Sequence, residues 1–179
     1  MVCHVTFYPR SVSWPRSGRV RASLVRILIA AALLTIGAGV AFAGPLDDAK
    51  RAYAQQDFAT ALKLLLPLAK NGNAEAQTTL GTMYNSGQGV AQDFAAAMRW
   101  WRLAAVQGNA LAQVNLGLAY GVKQDFARAY AWLTVAADHG FPNAAVFRAT
   151  FAERMTQDQI AAAQAEAQRC ESSGFKLCE

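Results

Sequence analysis

The chain of 179 residues contains a repeated sequence unit, and this feature constrains its fold more than any other. An Asp-Phe pair begins at Asp57, Asp93 and Asp125, with spacings of 36 and then 32 residues. The same two spacings relate three further sets of small residues: Ala61, Ala97 and Ala129; Ala69, Ala105 and Ala137; and Gly72, Gly108 and Gly140. A fixed period of roughly 20–50 residues is typical of a solenoid, whose units bury their apolar faces against their neighbours. The sequence therefore predicts a tandem array.

Each unit has the residue pattern of two helices. Ala76, Leu80 and Met83 share one face at a spacing of i, i+4 and i+7, which indicates an amphipathic helix. A second helix is expected to follow Asp93, whose carboxylate can accept hydrogen bonds from the N–H groups of the first turn. Gly108 is expected to end it. The pattern predicts an all-α fold built from antiparallel helical hairpins.

The C-terminal part of the chain predicts two further helices. One is expected over residues 142–154. The next begins at Thr156, which forms a capping-box pattern with Gln159 and opens an alanine-rich helix over residues 156–170. We expect this capping helix to shield the terminal apolar face of the stack.

The middle unit, residues 74–109, closely resembles the Sel-1-like repeat, a relative of the tetratricopeptide repeats. The matching residues are Ala76, Gln77, Leu80, Gly81, Tyr84, Gly87, Gly89, Val90, Asp93, Ala97, Trp100, Trp101, Ala104, Ala105 and Gly108. The resemblance implies a right-handed stack of helical hairpins, with further units over residues 46–73 and 110–141. The unit 110–141 departs from the pattern, because it lacks four residues of the loop that contains Gly87 and Gly89.

Residues 1–43 have the pattern of a cleaved secretory signal peptide. Residues 1–26 hold five arginines and no acid, an apolar run continues to Phe42, and an A-x-A site ends at Ala43. An uncleaved anchor is the alternative, since residues 27–46 carry no charge and a bilayer span needs about 20 residues. We expect cleavage after Ala43 and export of residues 44–179 to the periplasm or beyond, with membrane contact only if the signal is retained.

The signal region also accounts for the net charge of +5. Five of the 17 basic residues and none of the 12 acidic residues lie there, so the rest of the chain is balanced. Nucleic-acid binding needs a basic patch, and we expect no nucleic-acid partner.

Cys170 and Cys178 are the two cysteines beyond the signal region. An even number in an exported protein favours a disulfide, and their spacing fits neither a C-x-x-C redox motif nor a zinc site. We expect a structural bridge that holds the tail, residues 170–178.

No residue pattern predicts an active site. His139 is the one histidine beyond the signal region, and its place in the last turn of a predicted helix suits the helix dipole. Neither a nucleophile–base set nor metal-ligand spacing accompanies it, so we predict no catalytic residue, metal or cofactor. Trp100, Trp101 and Trp132 occupy repeat positions that hold leucine in other units, which indicates a core role.

The resemblance also implies a place for a partner. In tetratricopeptide-like stacks the first helix of each hairpin lines a concave groove. The corresponding positions here are Glu75, Thr78, Thr82, Asn85, Leu111, Val114, Leu118, Asn143, Val146 and Thr150. They vary between units, so packing does not dictate them. A second interpretation stays open for Leu111, Val114 and Leu118, namely that they pack against the capping helix.

Members of the resembled family are mostly adaptors or scaffolds. We therefore expect an exported adaptor that binds a protein or peptide segment in the groove and is not an enzyme. One alternative is a structural protein associated with the cell envelope or peptidoglycan. Another is an enzyme acting on cell-wall or β-lactam substrates, for which the sequence offers no active-site residues.

Overall fold

The structure is a computed structural model that describes residues 44–175, and this part of the chain folds into eight α-helices without strands. The helices are α1 (Pro45–Ala54), α2 (Phe58–Lys70), α3 (Ala74–Ser86), α4 (Phe94–Ala105), α5 (Ala110–Val122), α6 (Phe126–Asp138), α7 (Ala144–Ala152) and α8 (Gln157–Ser172). The predicted all-α class is confirmed.

The first six helices form three hairpins that coincide with the predicted repeat units. α1 packs on α2, α3 on α4, and α5 on α6. Successive hairpins then pack through α2 against α3 and through α4 against α5. Each hairpin therefore contacts its neighbours along the chain, as expected for a repeat stack.

Side-chain caps set the start of these helices. Asp57, Asp93 and Asp125 each accept a hydrogen bond from the backbone N–H three residues later, at 3.1, 2.8 and 3.1 Å. Asn73 and Asn109 do the same for α3 and α5, at 2.8 and 2.9 Å. These bonds satisfy N–H groups that have no partner within the helix, and the repeated Asp and Asn therefore fix where each helix begins.

Glycine allows the two helices of a hairpin to approach closely. A Cβ atom added to Gly81 of α3 would lie 2.4 Å from the indole of Trp101 on α4. At Gly117 of α5 it would lie 2.8 Å from the side chain of Leu133 on α6. Trp101 also donates its indole N–H to the carbonyl oxygen of Thr78 at 3.2 Å. The large residue of one helix thus fills the space left by the glycine of the other.

The tryptophans predicted to be core residues are buried to different degrees. Trp101 and Trp132 are 5 % and 4 % exposed, which confirms the prediction for both. Trp100 is half-buried and packs against the apolar cluster of α1, α2 and α3. Trp132 has an additional cover, because α8 lies against it.

The last helix, α8, packs chiefly on α6. Its predicted capping box is present, since the N–H of Gln159 donates to the Thr156 hydroxyl at 3.3 Å and the N–H of Thr156 donates to Oε1 of Gln159 at 2.9 Å. The small side chains of Ala163, Ala167 and Cys170 form its buried face. Small side chains allow a close approach to the surface of α6.

The outer face of α7 remains uncovered as a result. Val146 is 63 % exposed and Phe147 is 36 % exposed. The expectation that the capping helix shields this terminal face is therefore corrected, because α8 lies on α6 instead.

Several predictions concern residues outside the described range. The signal peptide with its cleavage site at Ala43 and the second cysteine of the predicted bridge, Cys178, lie outside it, so both remain predictions. Within residues 44–175, no helix combines the length and the hydropathy that a membrane span requires.

Candidate functional site

Two adjoining depressions lie along the first helices of the three hairpins. The first, of about 260 Å³, is lined by Lys50, Tyr53, Glu75, Thr78, Thr79, Thr82 and Leu111. The second, of about 240 Å³, is lined by Thr82, Asn85, Phe94, Trp101, Asn115, Leu118, Ala119 and Val122. Thr82 borders both depressions, and we refer to the two together as the groove.

The structure brings most of the predicted partner-binding residues to this groove. The residues found there are Glu75, Thr78, Thr82, Asn85, Leu111 and Leu118. Thr78 is only 3 % exposed and donates its hydroxyl to the carbonyl oxygen of Ala74, so it forms the floor of the first depression. Leu111, by contrast, is 47 % exposed.

Val114 does not belong to the groove, and its assignment is corrected. It is 3 % exposed and lies in an apolar cluster with Leu133, Ala136 and Ala144. α6 and α7 cover this side of α5, so Val114 is a core residue. The second interpretation is also wrong, because α8 packs on α6 and leaves Leu111 exposed.

The predicted contribution of α7 is not part of the groove either. Asn143, Val146 and Thr150 are exposed on or beside α7, but they line neither depression. Asn143 has a positive φ of 68° and stands directly before the helix. The groove therefore extends over α1, α3 and α5.

Sequence reasoning missed several residues that line the groove. These are Lys50, Tyr53, Thr79, Phe94, Trp101, Asn115, Ala119 and Val122. The rule that first helices line the groove, applied to the unit 46–73, would have found Lys50 and Tyr53. Thr79 and Asn115 occupy equivalent repeat positions, and their polar character on a mainly apolar repeat was the available signal.

The groove is nearly neutral. Lys50 and Glu75 are the charged side chains among its lining residues, and Nζ of Lys50 lies 2.5 Å from Oε1 of Glu75. The hydrogen bond to the Glu75 carboxylate raises the pKa of Lys50 above its usual value. α5 contributes no charge, because residues from Ala110 to Val122 include no Asp, Glu, Lys, Arg or His.

Two amides supply hydrogen-bonding groups that the fold does not use. Within the described part of the chain, the side-chain amides of Asn85 and Asn115 have no hydrogen-bond partner, and both residues are half-buried in the second depression. The hydroxyls of Thr79 and Thr82, in contrast, donate to carbonyl oxygens of their own helix. The two amides are therefore free to bind a ligand.

His139 lies at the C-terminal end of α6 and lines neither depression. Its ring contacts Phe175 edge-on at a centroid distance of 5.5 Å, and its Nε2 lies 4.0 Å from Oε1 of Glu171. These contacts connect α6 with the segment that ends α8. Among residues 44–175, no three His, Cys, Asp or Glu side chains are grouped to hold a metal ion.

Comparison with known proteins identifies the repeat. The model of the family described as Sel1 repeat matches residues 74–109 and 110–141. Among solved structures, the chain is similar to c5321, a protective antigen present in uropathogenic Escherichia coli strains displaying an SLR fold, at 24 % identity and a TM-score of 0.68. That similarity covers 73 % of this chain and 31 % of the other. No curated protein matches the chain. The two matched repeats coincide with the hairpins α3–α4 and α5–α6, so the chain contains two Sel1 repeats within a helical repeat fold.

Proposed function

We propose that this protein is an exported adaptor that binds an extended segment of another protein in the groove. Sel1-like repeat proteins are generally scaffolds for protein–protein interaction. The observation that carries the proposal is the pair of adjoining depressions across α1, α3 and α5, which share Thr82. Export rests on the signal-peptide pattern of residues 1–43.

The dimensions of the groove suit a short extended segment. Neighbouring packed helices lie roughly 8–10 Å apart, and α1, α3 and α5 contact one another less closely than packed pairs do, so the path from α1 across α3 to α5 is at least about 16–20 Å long. An extended chain advances about 3.3 Å per residue, and at least about five or six residues are therefore needed to cover this path. Such a segment would contact residues of three successive hairpins at once.

The proposal is tested by crosslinking in intact cells, with two leucines as a matched pair. Leu111 lines the first depression and is 47 % exposed, whereas Leu103 on α4 lines neither depression and is 48 % exposed. Leu111→Asp places a carboxylate in the groove, and a bound segment would strip this carboxylate of its hydration. The lost hydration costs free energy and therefore weakens binding. We expect at least about tenfold less crosslinked partner with Leu111→Asp, equivalent to roughly 1.4 kcal/mol.

Leu103→Asp is expected to crosslink like the unaltered protein. Mass spectrometry identifies the product, and the product is expected in the periplasmic or secreted fraction. Circular dichroism of both purified variants controls for loss of helix content. Equal crosslinking by the two variants, or a product confined to the cytosol, would contradict the proposal.

A further inference from the structure

The loop between α3 and α4 covers the start of α2. Gly89, with φ of 71°, lies so close to Phe58 that an added Cβ would be 2.9 Å from the Phe58 carbonyl oxygen. The neighbouring Gln88 accepts a hydrogen bond from the Tyr53 hydroxyl at 3.0 Å. In the unit 74–109 the loop is therefore fixed to the preceding hairpin and packs against Phe58.

The next unit lacks this cover. α5 ends at Val122, and only Lys123 and Gln124 separate it from the N-cap Asp125. Phe94 is the repeat equivalent of Phe58, and it lines the second depression. Val122, the equivalent of Ser86, is 75 % exposed. The four residues that this loop lacks correspond to residues 87–90 of the previous unit, where the loop packs against Phe58.

We propose that the loss of this loop opens a side-chain pocket, the second depression, which receives one uncharged aliphatic or aromatic side chain of the bound segment. This inference rests on the proposed function and specifies the partner. Phe94, Leu118 and Val122 supply apolar walls, and none of the residues that line the depression is charged. A charged side chain would lose its hydration there without a counter-charge.

The volume of the pocket agrees with one large side chain. The second depression measures about 240 Å³. A water molecule occupies roughly 30 Å³, so the space exceeds what a few ordered waters fill.

The two free amides hold the main chain beside this pocket. A side-chain amide offers one carbonyl acceptor and two N–H donors, which match the N–H and C=O groups of a peptide. Asn85 and Asn115 project from α3 and α5 into the same depression. A sugar fits less well, since the Trp101 ring is 5 % exposed and its N–H already donates to Thr78, so this ring offers no open stacking face.

The pocket is tested with blocked amino acids as probes. N-acetyl-leucinamide and N-acetyl-phenylalaninamide each carry one apolar side chain between two peptide groups. Titrated into the 15N-labelled protein, they are expected to shift the side-chain NH₂ signals of Asn85 and Asn115 and the indole signal of Trp101 in a saturable manner. N-acetyl-glycinamide and N-acetyl-lysinamide are expected to bind at least about tenfold more weakly.

A loop variant provides the decisive comparison. The sequence Gly-Gln-Gly-Val of residues 87–90 is inserted after Val122, which restores the length of the previous unit. We expect probe binding to fall at least about tenfold because the loop covers Phe94. Val122→Ser and Asn115→Thr place the residues of the previous unit into the pocket one at a time. These two variants test the same pocket if the loop variant loses helix content. Each is expected to weaken probe binding. Leu103→Asp is the control and is expected to leave probe binding unchanged.

The outcomes separate this inference from the adaptor proposal. Absence of saturable shifts in the unaltered protein, or undiminished binding by a folded loop variant, would overturn the pocket. If the loop variant does not fold, undiminished probe binding by both Val122→Ser and Asn115→Thr would overturn the pocket. If the loop variant retains a crosslinked partner that Leu111→Asp loses, the pocket is wrong and the adaptor stands. If the probes bind as expected but no partner is crosslinked, the pocket stands and the adaptor proposal fails.

Discussion

At the scale of single residues, a glycine opposite a large side chain determines how closely the two helices of a hairpin approach each other. Gly81 faces Trp101 and Gly117 faces Leu133, and in both pairs an added Cβ would come within 3.0 Å of the opposite side chain. The equivalent residue in α7 is Ala149, which is exposed. The same repeat position is thus a tight contact in the two matched repeats and an open surface at the end of the stack.

Gly81→Ala is therefore expected to destabilise the protein. The new methyl group would meet the Trp101 indole at 2.4 Å, and the ring cannot move without disturbing its hydrogen bond to Thr78. Overpacking of this kind costs about 1–3 kcal/mol in the free energy of unfolding, measured by urea denaturation. Ala149→Ser is the control, with an expected change within about 0.5 kcal/mol at an exposed site. Equal stability of Gly81→Ala and the unaltered protein would disprove the tight contact.

At the scale of helices, the residue eight positions after the cap distinguishes α8 from the second helices of the hairpins. This position holds Trp101 in α4 and Leu133 in α6, but Gln164 in α8. Because α8 lacks a large apolar residue at this position, it has no such side chain to pack against the exposed Ala149 of α7. Its apolar residues are small and follow one stripe, and it packs on α6 through that stripe. The amide of Gln164 donates to the hydroxyl of Tyr130 at 3.2 Å and supports the same arrangement.

Two alanines of α8 offer a direct test of this packing. Ala167 is 1 % exposed and faces α6, whereas Ala165 is exposed on the same helix. The cavity between α6 and α8 beside Ala167 measures only about 10 Å³, so the larger side chain in Ala167→Leu does not fit. We expect Ala167→Leu to lower the thermal midpoint, with a loss of about 1–3 kcal/mol. Ala165→Leu is expected to change little, and a similar loss from both would argue against this interface.

The sequence predicts the helices better than it predicts the surfaces between them. Asp and Asn caps act within one turn of the chain, so local chemistry sets the starts of α3 to α6, and the cap at Asp93 was predicted on this basis. The burial of Val114 depends on where α7 packs, which no local pattern contains. The second depression depends on residues that are missing from a loop. The shortened unit is visible in the sequence, but the depression that results from it could not be predicted without the position of Phe94 in the structure.

At the scale of the whole described domain, stability is distributed along the stack in local clusters. One cluster joins α1, α2 and α3, a second joins α4, α5, α6 and α8, and a third lies among α5, α6 and α7. In such an array stability is approximately a sum over units and their nearest-neighbour interfaces. The two ends are expected to open more easily than the middle. The groove spans α1, α3 and α5, so one side of it depends on an end helix.

Native-state hydrogen exchange tests this gradient. α7 has Ala144 as its one fully buried residue, whereas α5 buries residues from Ala112 to Gly121. Local opening of α7 therefore exposes little apolar surface and is expected to cost less free energy than opening of α5. We expect amide protection in α7 to be at least about tenfold lower than in α5, equivalent to roughly 1.4 kcal/mol. Because α8 is anchored on α6, its buried stripe is expected to remain more protected than α7, although it follows α7 in the chain. Uniform protection from α5 through α8 would instead mean that the C-terminal part opens as one cooperative unit, and the nearest-neighbour description would not hold there.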